Sequence, residues 1–263
     1  MTDQPVLYGI DAGVAIITLN RPDAMNSLDT TTKVALRDDI RRAADDPSVR
    51  AVVLTGSGRA FCVGQDLNEH ADALRSGSAS LGTTVEQHYN PIVHGLATMG
   101  KPVVAAVNGV AAGAGASFAF ACDFRIVGQS AGFNLAFTAI GLSCDSGSSW
   151  TLPRLVGWAK ARELLMLPRT VRADEALSLG LATEVVSDDE VLTRARELAR
   201  QLASGPTLAY AAVRDVLNYS ATHPLEESLV REGEMMNRTG ATEDHRAAVM
   251  AFLSKQKAEF VGR

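Results

Sequence analysis

Three short stretches of this 263-residue chain combine residue types able to do chemistry. Two are backbone loops, Phe61-Cys62-Val63-Gly64-Gln65-Asp66 and Gly113-Ala114-Gly115. Each follows an apolar run that reads as a buried strand, and each precedes a helix. Small residues let backbone approach a partner closely, and a helix N-terminus offers N–H groups to an anion. The third stretch is Gly141-Leu142-Ser143-Cys144-Asp145-Ser146-Gly147, an acidic residue in a small-residue loop near Leu142 and Trp150. Burial among such neighbours raises a carboxyl pKa toward a value useful for proton transfer. Two plainer readings stay open here. Gly113-Ala114-Gly115 can simply permit close packing, and Asp145 can cap the helix that follows it.

Other chemistries find little in the chain. A Walker A loop needs Gly-Lys-Ser/Thr, which is absent, and a dinucleotide fingerprint needs a third glycine where Phe118 stands. Cys62, Cys122 and Cys144 form no CxxC pair, and the five histidines show no HExxH spacing, so no metal site is expected. The odd cysteine count fits reduced cytosolic thiols. A net charge of −5 argues against nucleic acid. No apolar run approaches the roughly 20 residues of a membrane span. The N-terminus carries no basic segment followed by an apolar core, so a cytoplasmic protein is expected.

The elements that must position these loops follow from periodicity. Residues 6–20 alternate as a hairpin around Asp11-Ala12-Gly13. Asp29 is a plausible N-cap for a helix to about Asp46, with Leu36, Ile40 and Ala43 on one face. Buried strands are expected at 49–55 and 103–107, and further strands at 123–127, near Phe133 and at 182–186. A helix is expected from about residue 66, a polar surface loop over 75–83, and helices over 85–99, 117–121, 148–155, 159–167 and 172–179. From Asp189 on the pattern is wholly helical, over about 189–203, 207–220, 225–239 and 242–257. Alternation of strands and helices predicts an α/β fold with a parallel, right-handed βαβ arrangement. Gly205-Pro206 divides a core, residues 1–204, from a helical C-terminal region, 205–263.

Taken in order, these residues resemble the crotonase (enoyl-CoA hydratase/isomerase) superfamily. The resemblance rests on Leu19-Asn20-Arg21-Pro22-x-Ala24-x-Asn26-x-Leu28, Phe61-x-x-Gly64-x-Asp66-Leu67, Lys101-Pro102-Val103-x-Ala105-x-x-Asn108-Gly109, Gly113-x-Gly115, Cys122-Asp123 and Gly141-Leu142. It covers essentially the whole chain, including Phe252-Leu253-x-Lys255-x-Lys257 in the tail. It implies a crotonase-like ββα spiral core with a helical C-terminal region, assembled as a homotrimer or hexamer. It implies an acyl-CoA thioester substrate, with coenzyme A carried as part of that substrate and no further cofactor. By motif position the Gln65 and Ala114 N–H groups form the oxyanion hole for the thioester oxygen. Donors fixed for that developing charge are each worth roughly 10²–10³ in rate. Ala24, Val63 and Gly64 fall where the family holds the adenine, beside Gln65, Asp66 and Leu67. Lys255, Lys257 and Phe260 fall where the C-terminal helix meets the CoA, sometimes that of a neighbouring subunit.

Hydratases of this superfamily carry two glutamates, and here those positions are Ser117 and Phe137. Hydration needs one group to activate water and another to move a proton. The resemblance therefore shifts toward relatives with an acid at the position of Asp145, which include isomerases. One carboxylate suits a 1,3-proton shift. Within the superfamily the chain resembles the phenylacetate-pathway branch, the 2-(1,2-epoxy-1,2-dihydrophenyl)acetyl-CoA isomerases. It is carried by Gly64-Gln65-Asp66-Leu67, Tyr89-Asn90-Pro91, Val107 to Ala116, Ala136-Phe137 and Leu152-Pro153-Arg154. Cys144 departs from it, standing where that branch usually has proline. Alternatives are a hydratase or lyase using Asp145 alone, an aryl-CoA dehalogenase-like enzyme with Asp145 as nucleophile, and a non-catalytic acyl-CoA-binding relative. Cys144 as nucleophile lacks an adjacent base. His88 and His94 read as packing or surface residues, and Tyr89 either bounds the acyl group or packs in the core.

Overall fold

The computed structural model describes residues 4–77 and 81–263. Strands β1 (Val6–Asp11) and β2 (Val14–Leu19) form the expected antiparallel hairpin. Ala12 and Gly13 between them both have positive φ, 48° and 77°, as a two-residue primed turn requires. A 3-10 turn (Pro22–Ala24) leads to α1 (Thr30–Asp45). Asp29 caps α1, accepting from the Thr32 N–H at 2.8 Å. The buried face of α1 carries Leu36, Ile40 and Ala43, but also Lys33, which is 1% exposed.

The chain then runs β3 (Ala51–Gly56), β4 (Ala60–Cys62), α2 (Leu67–Arg75), α3 (Leu81–Thr84), a π-helical turn (Val85–Tyr89) and α4 (Asn90–Thr98). Next come β5 (Val103–Val107), β6 (Val110–Ala112), α5 (Ala114–Ala121), β7 (Phe124–Gly128) and β8 (Gly132–Asn134). After a 3-10 turn (Thr138–Ile140) follow α6 (Ser148–Met166), β9 (Val171–Arg172), α7 (Ala173–Ser178) and β10 (Glu184–Val186). Helices α8 (Val191–Ala203), α9 (Thr207–Ser220), α10 (Leu225–Gly240) and α11 (Glu243–Leu253) complete the chain.

Two sheets result. One has the order β1-β2-β3-β5-β7-β10, parallel except for the β1–β2 hairpin. The other has the order β4-β6-β8-β9, parallel across its first three strands. β3 and β5 are buried along almost their whole length, which matches strands written as Ala-Val-Val-Leu-Thr and Val-Val-Ala-Ala-Val. Each loop of interest leaves the C-terminal end of a strand of the smaller sheet, Val63-Gly64-Gln65 after β4 and Gly113 after β6.

Several elements differ from the sequence expectation. Val110–Ala112 is a strand, and α5 begins at Ala114, three residues before the expected start. Alanine is the best helix former, so the helix extends to the Gly113 cap. The helices expected at 148–155 and 159–167 form α6, which breaks at Gly157 with φ 76° and ψ 161°. Within the expected surface loop over 75–83, Arg75 closes α2 and Leu81–Thr84 is helical; residues 78–80 lie outside the described residues. The last helix ends at Leu253, so Lys255, Lys257 and Phe260 follow it.

The tail is joined to the core by Arg214 of α9. Its guanidinium pairs with Asp123 at 2.8 Å and donates to the carbonyls of Met99, at 2.6 Å, Lys101, at 2.8 Å, and Leu96. Asp123 in turn accepts from the Val103 N–H at 2.7 Å. Burial pushes the Asp123 carboxyl up, and Arg214 opposes that. Arg214→Ala leaves this carboxylate and three carbonyls without their partner. It should lower stability by about 2–3 kcal/mol, the low end for a partly buried pair, as measured by urea unfolding.

Candidate active site

The two loops meet across the smaller sheet. Gly115 sits against β4 so closely that an added Cβ would lie 2.2 Å from the Cys62 carbonyl oxygen. Gly64 has φ +83°, and a Cβ there would lie 3.0 Å from the Ala112 oxygen and 3.3 Å from the Ala114 nitrogen. Both positions therefore require glycine.

Gln65 forms an isolated parallel bridge with Leu28. The bonds of that bridge use its neighbours: Leu28 N–H donates to Gly64 O at 2.8 Å, and Asp66 N–H donates to Leu28 O at 3.1 Å. The N–H of Gln65 consequently faces the other way, toward the pocket that Gln65 lines. Ala114 is the first residue of α5, so its N–H has no partner within the helix. Among the described residues neither N–H donates to a protein acceptor. Two unpaired donors, one at a helix N-terminus, suit an oxygen that gains negative charge.

The pocket in front of them has ≈ 760 Å³ of empty space, counting its open mouth, enough for a small organic group. Its walls are largely apolar, with Leu67, Leu81, Val85, Phe137, Ile140 and Leu142. The polar side chains that reach it are Gln65, His70, Thr84, Tyr89 and Asp145. Among the described lining residues Asp145 is the one carboxylate. Burial raises its pKa, opposed by the Ser146 hydroxyl, which donates to Oδ1 at 2.8 Å. Ser146 is itself buried with φ 51°, an uncommon conformation for a residue with a side chain. Asp145 does not cap α6 with its side chain. Gly147 is the cap residue, and Asp145 contributes its main-chain carbonyl, which accepts from Ser148 N–H at 3.0 Å.

The Gln65 side chain is held from several sides. Its Oε1 accepts from Lys33 Nζ at 3.2 Å and from the Tyr89 hydroxyl. Its Nε2 donates to Glu69 Oε1 at 3.4 Å, and Lys33 also pairs with Glu69 at 3.2 Å. Burial, and then the charge of Asp145, push the Tyr89 hydroxyl pKa up, so Tyr89 stays protonated and donates. Its ring meets Phe118 of α5 edge-on, with centroids 6.1 Å apart.

The sequence-expected site residues divide. Val63, Gly64, Gln65, Leu67, Ala114, Phe137 and Asp145 line one pocket. Asp66 does not. Burial pushes its carboxyl up, but Arg21, Ser27 and the N–H groups of Glu69 and Asn68 hold it below the ordinary value. That carboxylate is used to cap α2 and to bind Arg21. Ala24 lies in the 3-10 turn and does not line the pocket. Nor do Lys257 and Phe260. The Phe260 carbonyl accepts from Arg50 at 2.8 Å, beside the N-terminal end of β3. Ser117 is buried behind the pocket wall. Sequence reading missed Lys33, whose one signal was a cation on the apolar face of α1. It also missed His70, Ser146 and Ser148, which carry no local signal.

Known proteins similar to this chain identify its family. The enoyl-CoA hydratase/isomerase family profile matches residues 9–263. The 1,2-epoxyphenylacetyl-CoA isomerase of Escherichia coli (strain K12) is 38% identical over 258 residues, 98% of each chain. A "Probable enoyl-CoA hydratase" of Rhodobacter capsulatus is 41% identical over the full length of both. A crystal structure of an enoyl-CoA hydratase/isomerase family protein from Mycobacterium abscessus superimposes with TM-score 0.94 at 46% identity, covering 98% of this chain and 100% of that one. The chain belongs to the enoyl-CoA hydratase/isomerase family and has the crotonase fold. It is an enzyme that acts on acyl-CoA thioesters. Among the described residues no helix is long and apolar enough to cross a membrane.

Burial of Asp145 has a consequence for stability. A carboxyl whose pKa is raised in the folded state ionises more readily when unfolded. Stability is then lost as pH rises from the unfolded pKa, about 3.9, to the higher folded one. Asp145→Asn keeps the shape and removes the charge. Its melting temperature should match that of the parent below about pH 4 and exceed it above, by a margin that grows until pH passes the raised folded pKa and is then constant, in thermal unfolding from pH 3.5 to 8.

Proposed function

We propose that this enzyme is an acyl-CoA isomerase that shifts a double bond, or opens a ring epoxide, next to a CoA thioester. The observation that carries the reading is the single carboxylate, Asp145, in an apolar pocket with two unpaired N–H groups, Gln65 and Ala114. The thioester oxygen sits between those N–H groups. Asp145 removes a proton from the carbon whose loss of a proton delocalises charge onto that oxygen. The C–H electron pair moves into the conjugated system, giving a dienolate. The protonated Asp145 then returns the proton two carbons away, and the new double bond forms with no net change in atoms or electrons. For a ring epoxide the bond between the two epoxide carbons breaks, its electron pair joins the π system of the enlarged ring and both C–O bonds are kept; the same donors hold the thioester oxygen while Asp145 moves a proton from one ring carbon to another. Proton transfer of this kind calls for no group beyond the CoA thioester.

The reading is also supported by what stands beside the acid. Ser117 and Phe137 supply no second carboxylate, and Ser117 is buried behind the wall, so a water-activating pair is missing. The similarity to the Escherichia coli isomerase points the same way.

The assembly we propose is a homotrimer or hexamer. Phe252, Met236 and Leu253 are 82%, 72% and 70% exposed on the tail helices, apolar area that a second subunit would cover. Lys257 and Phe260, remote from this chain's pocket, would then contact CoA held by a neighbour.

Two variants test the chemistry. Asp145→Asn should abolish double-bond isomerisation on a panel of enoyl-CoAs while CoA-thioester affinity stays near wild type; full activity would refute the assignment. Ala114→Pro removes one N–H at a helix position where proline is tolerated. It should lower kcat by roughly 10²–10³, whereas Ala114→Gly, which keeps the N–H, should not. Solvent deuterium should enter the product at the carbon that receives the proton.

A further inference from the structure

Behind the pocket wall two buried hydroxyls join the two catalytic loops. Ser117, on α5, and Ser148, the first residue of α6, are both 0% exposed. Their oxygens lie 2.6 Å apart. On one side Ser117 Oγ reaches the Gly113 carbonyl at 3.0 Å. On the other side Ser148 Oγ reaches the Asp145 carbonyl at 2.8 Å. The line therefore runs from the residue before Ala114 to the residue that carries the acid.

The hydrogen count makes this pair unusual. Three contacts are served by two hydroxyl protons. Each carbonyl already has a backbone donor, Ser117 N–H for Gly113 at 3.2 Å and Ser148 N–H for Asp145 at 3.0 Å. The 2.6 Å contact between the oxygens cannot be left without a proton, because two bare oxygens at that distance repel. One hydroxyl therefore donates to the other, and the second passes its proton to one of the two carbonyls. Both orders keep α5 and the 145–148 turn at a fixed separation. The atoms held at that separation include the Ala114 N–H and the Asp145 backbone.

We infer that Ser117 and Ser148 are positioning residues that set the distance between the oxyanion donors and the Asp145 acid. This rests on the reading of Asp145 as the acid/base. Neither serine lines the pocket, so neither touches substrate. The chemistry requires Asp145 to reach two carbons of an acyl chain whose oxygen is pinned at Gln65 and Ala114. A displacement of about 1 Å is enough to lower the rate on the order of 10²-fold.

Ser117→Ala, Ser148→Ala and the double variant are the test, with Asp145→Asn beside them. Each single variant should lower kcat about 10–100-fold and leave CoA-thioester affinity within about twofold. The double variant should lose no more than the worse single one, since the two hydroxyls act as a unit. The acid limb of the kcat–pH profile should also move to lower pH by at least about half a unit, because a loosened turn lets water reach Asp145. The other titratable groups around it, Tyr89 and His70 on the pocket, Cys144 beside it, and Lys33 and Glu69 behind Gln65, are unchanged in these variants. A kcat within twofold of wild type in both single variants, with the pH limb unmoved, would overturn the inference. So would loss of thioester binding in both, because the pair would then hold the fold and not the acid. An inactive Asp145→Asn beside fully active serine variants refutes this inference alone; an active Asp145→Asn refutes the isomerase reading itself.

Discussion

The approach of α5 to the Cys62 carbonyl is the contact on which the site depends. At Gly115 there is no room for even one carbon between the helix and β4. That contact places the N-terminal end of α5 beside the Gly64 turn. Two N–H groups from loops about fifty residues apart in sequence then face one pocket. Each loop follows a short strand of the same small sheet, so sheet register carries the alignment. The donors are backbone groups, and side-chain motion does not blur them. In the proposed reaction this is the preorganisation that would make the pair effective toward developing charge.

The charges around the pocket are arranged to leave the acid alone. Asp66 has Arg21, and Glu69 has Lys33. Burial raises the Asp145 pKa, and the Ser146 hydroxyl opposes it. The nearby cation, Lys33, is spent on the side chain of Gln65 and on Glu69. Its role in the fold is to hold Gln65 in place, and Tyr89 completes that grip from the other side. The result is an anchored donor loop facing a carboxyl whose pKa burial raises above the ordinary value.

Much of this was readable in the chain. Apolar runs marked β3 and β5, Asp29 marked the start of α1, and the Gly-containing loops with Asp145 marked the pocket. The misreadings have physical causes. Val110-Ala-Ala-Gly-Ala-Gly-Ala has no polar residue, so neither period shows where a strand ends and a helix begins. Gly157 breaks α6 without proline or a polar cluster to announce it. The Lys33–Gln65 and Ser117–Ser148 contacts join residues about thirty positions apart, which no local pattern encodes. In the tail, Phe260 gives its carbonyl to Arg50, beside the N-terminal end of β3.

The π-helical turn over 85–89 sets a limit on the length of the chain here. In it the Asn90 N–H reaches back five residues to the Val85 carbonyl, where an α-helix would reach four. The additional residue lets Val85 and Tyr89 both face the pocket while Ile92 and Leu96 of α4 still face the core. Deleting one residue would convert the turn to α geometry and swing everything before it by about 100° around the axis. Tyr89 could then no longer satisfy Gln65 without pulling α4 out of the core. The number of residues between Val85 and Ile92 is thus fixed by the two surfaces, pocket and core, that this stretch must face at once.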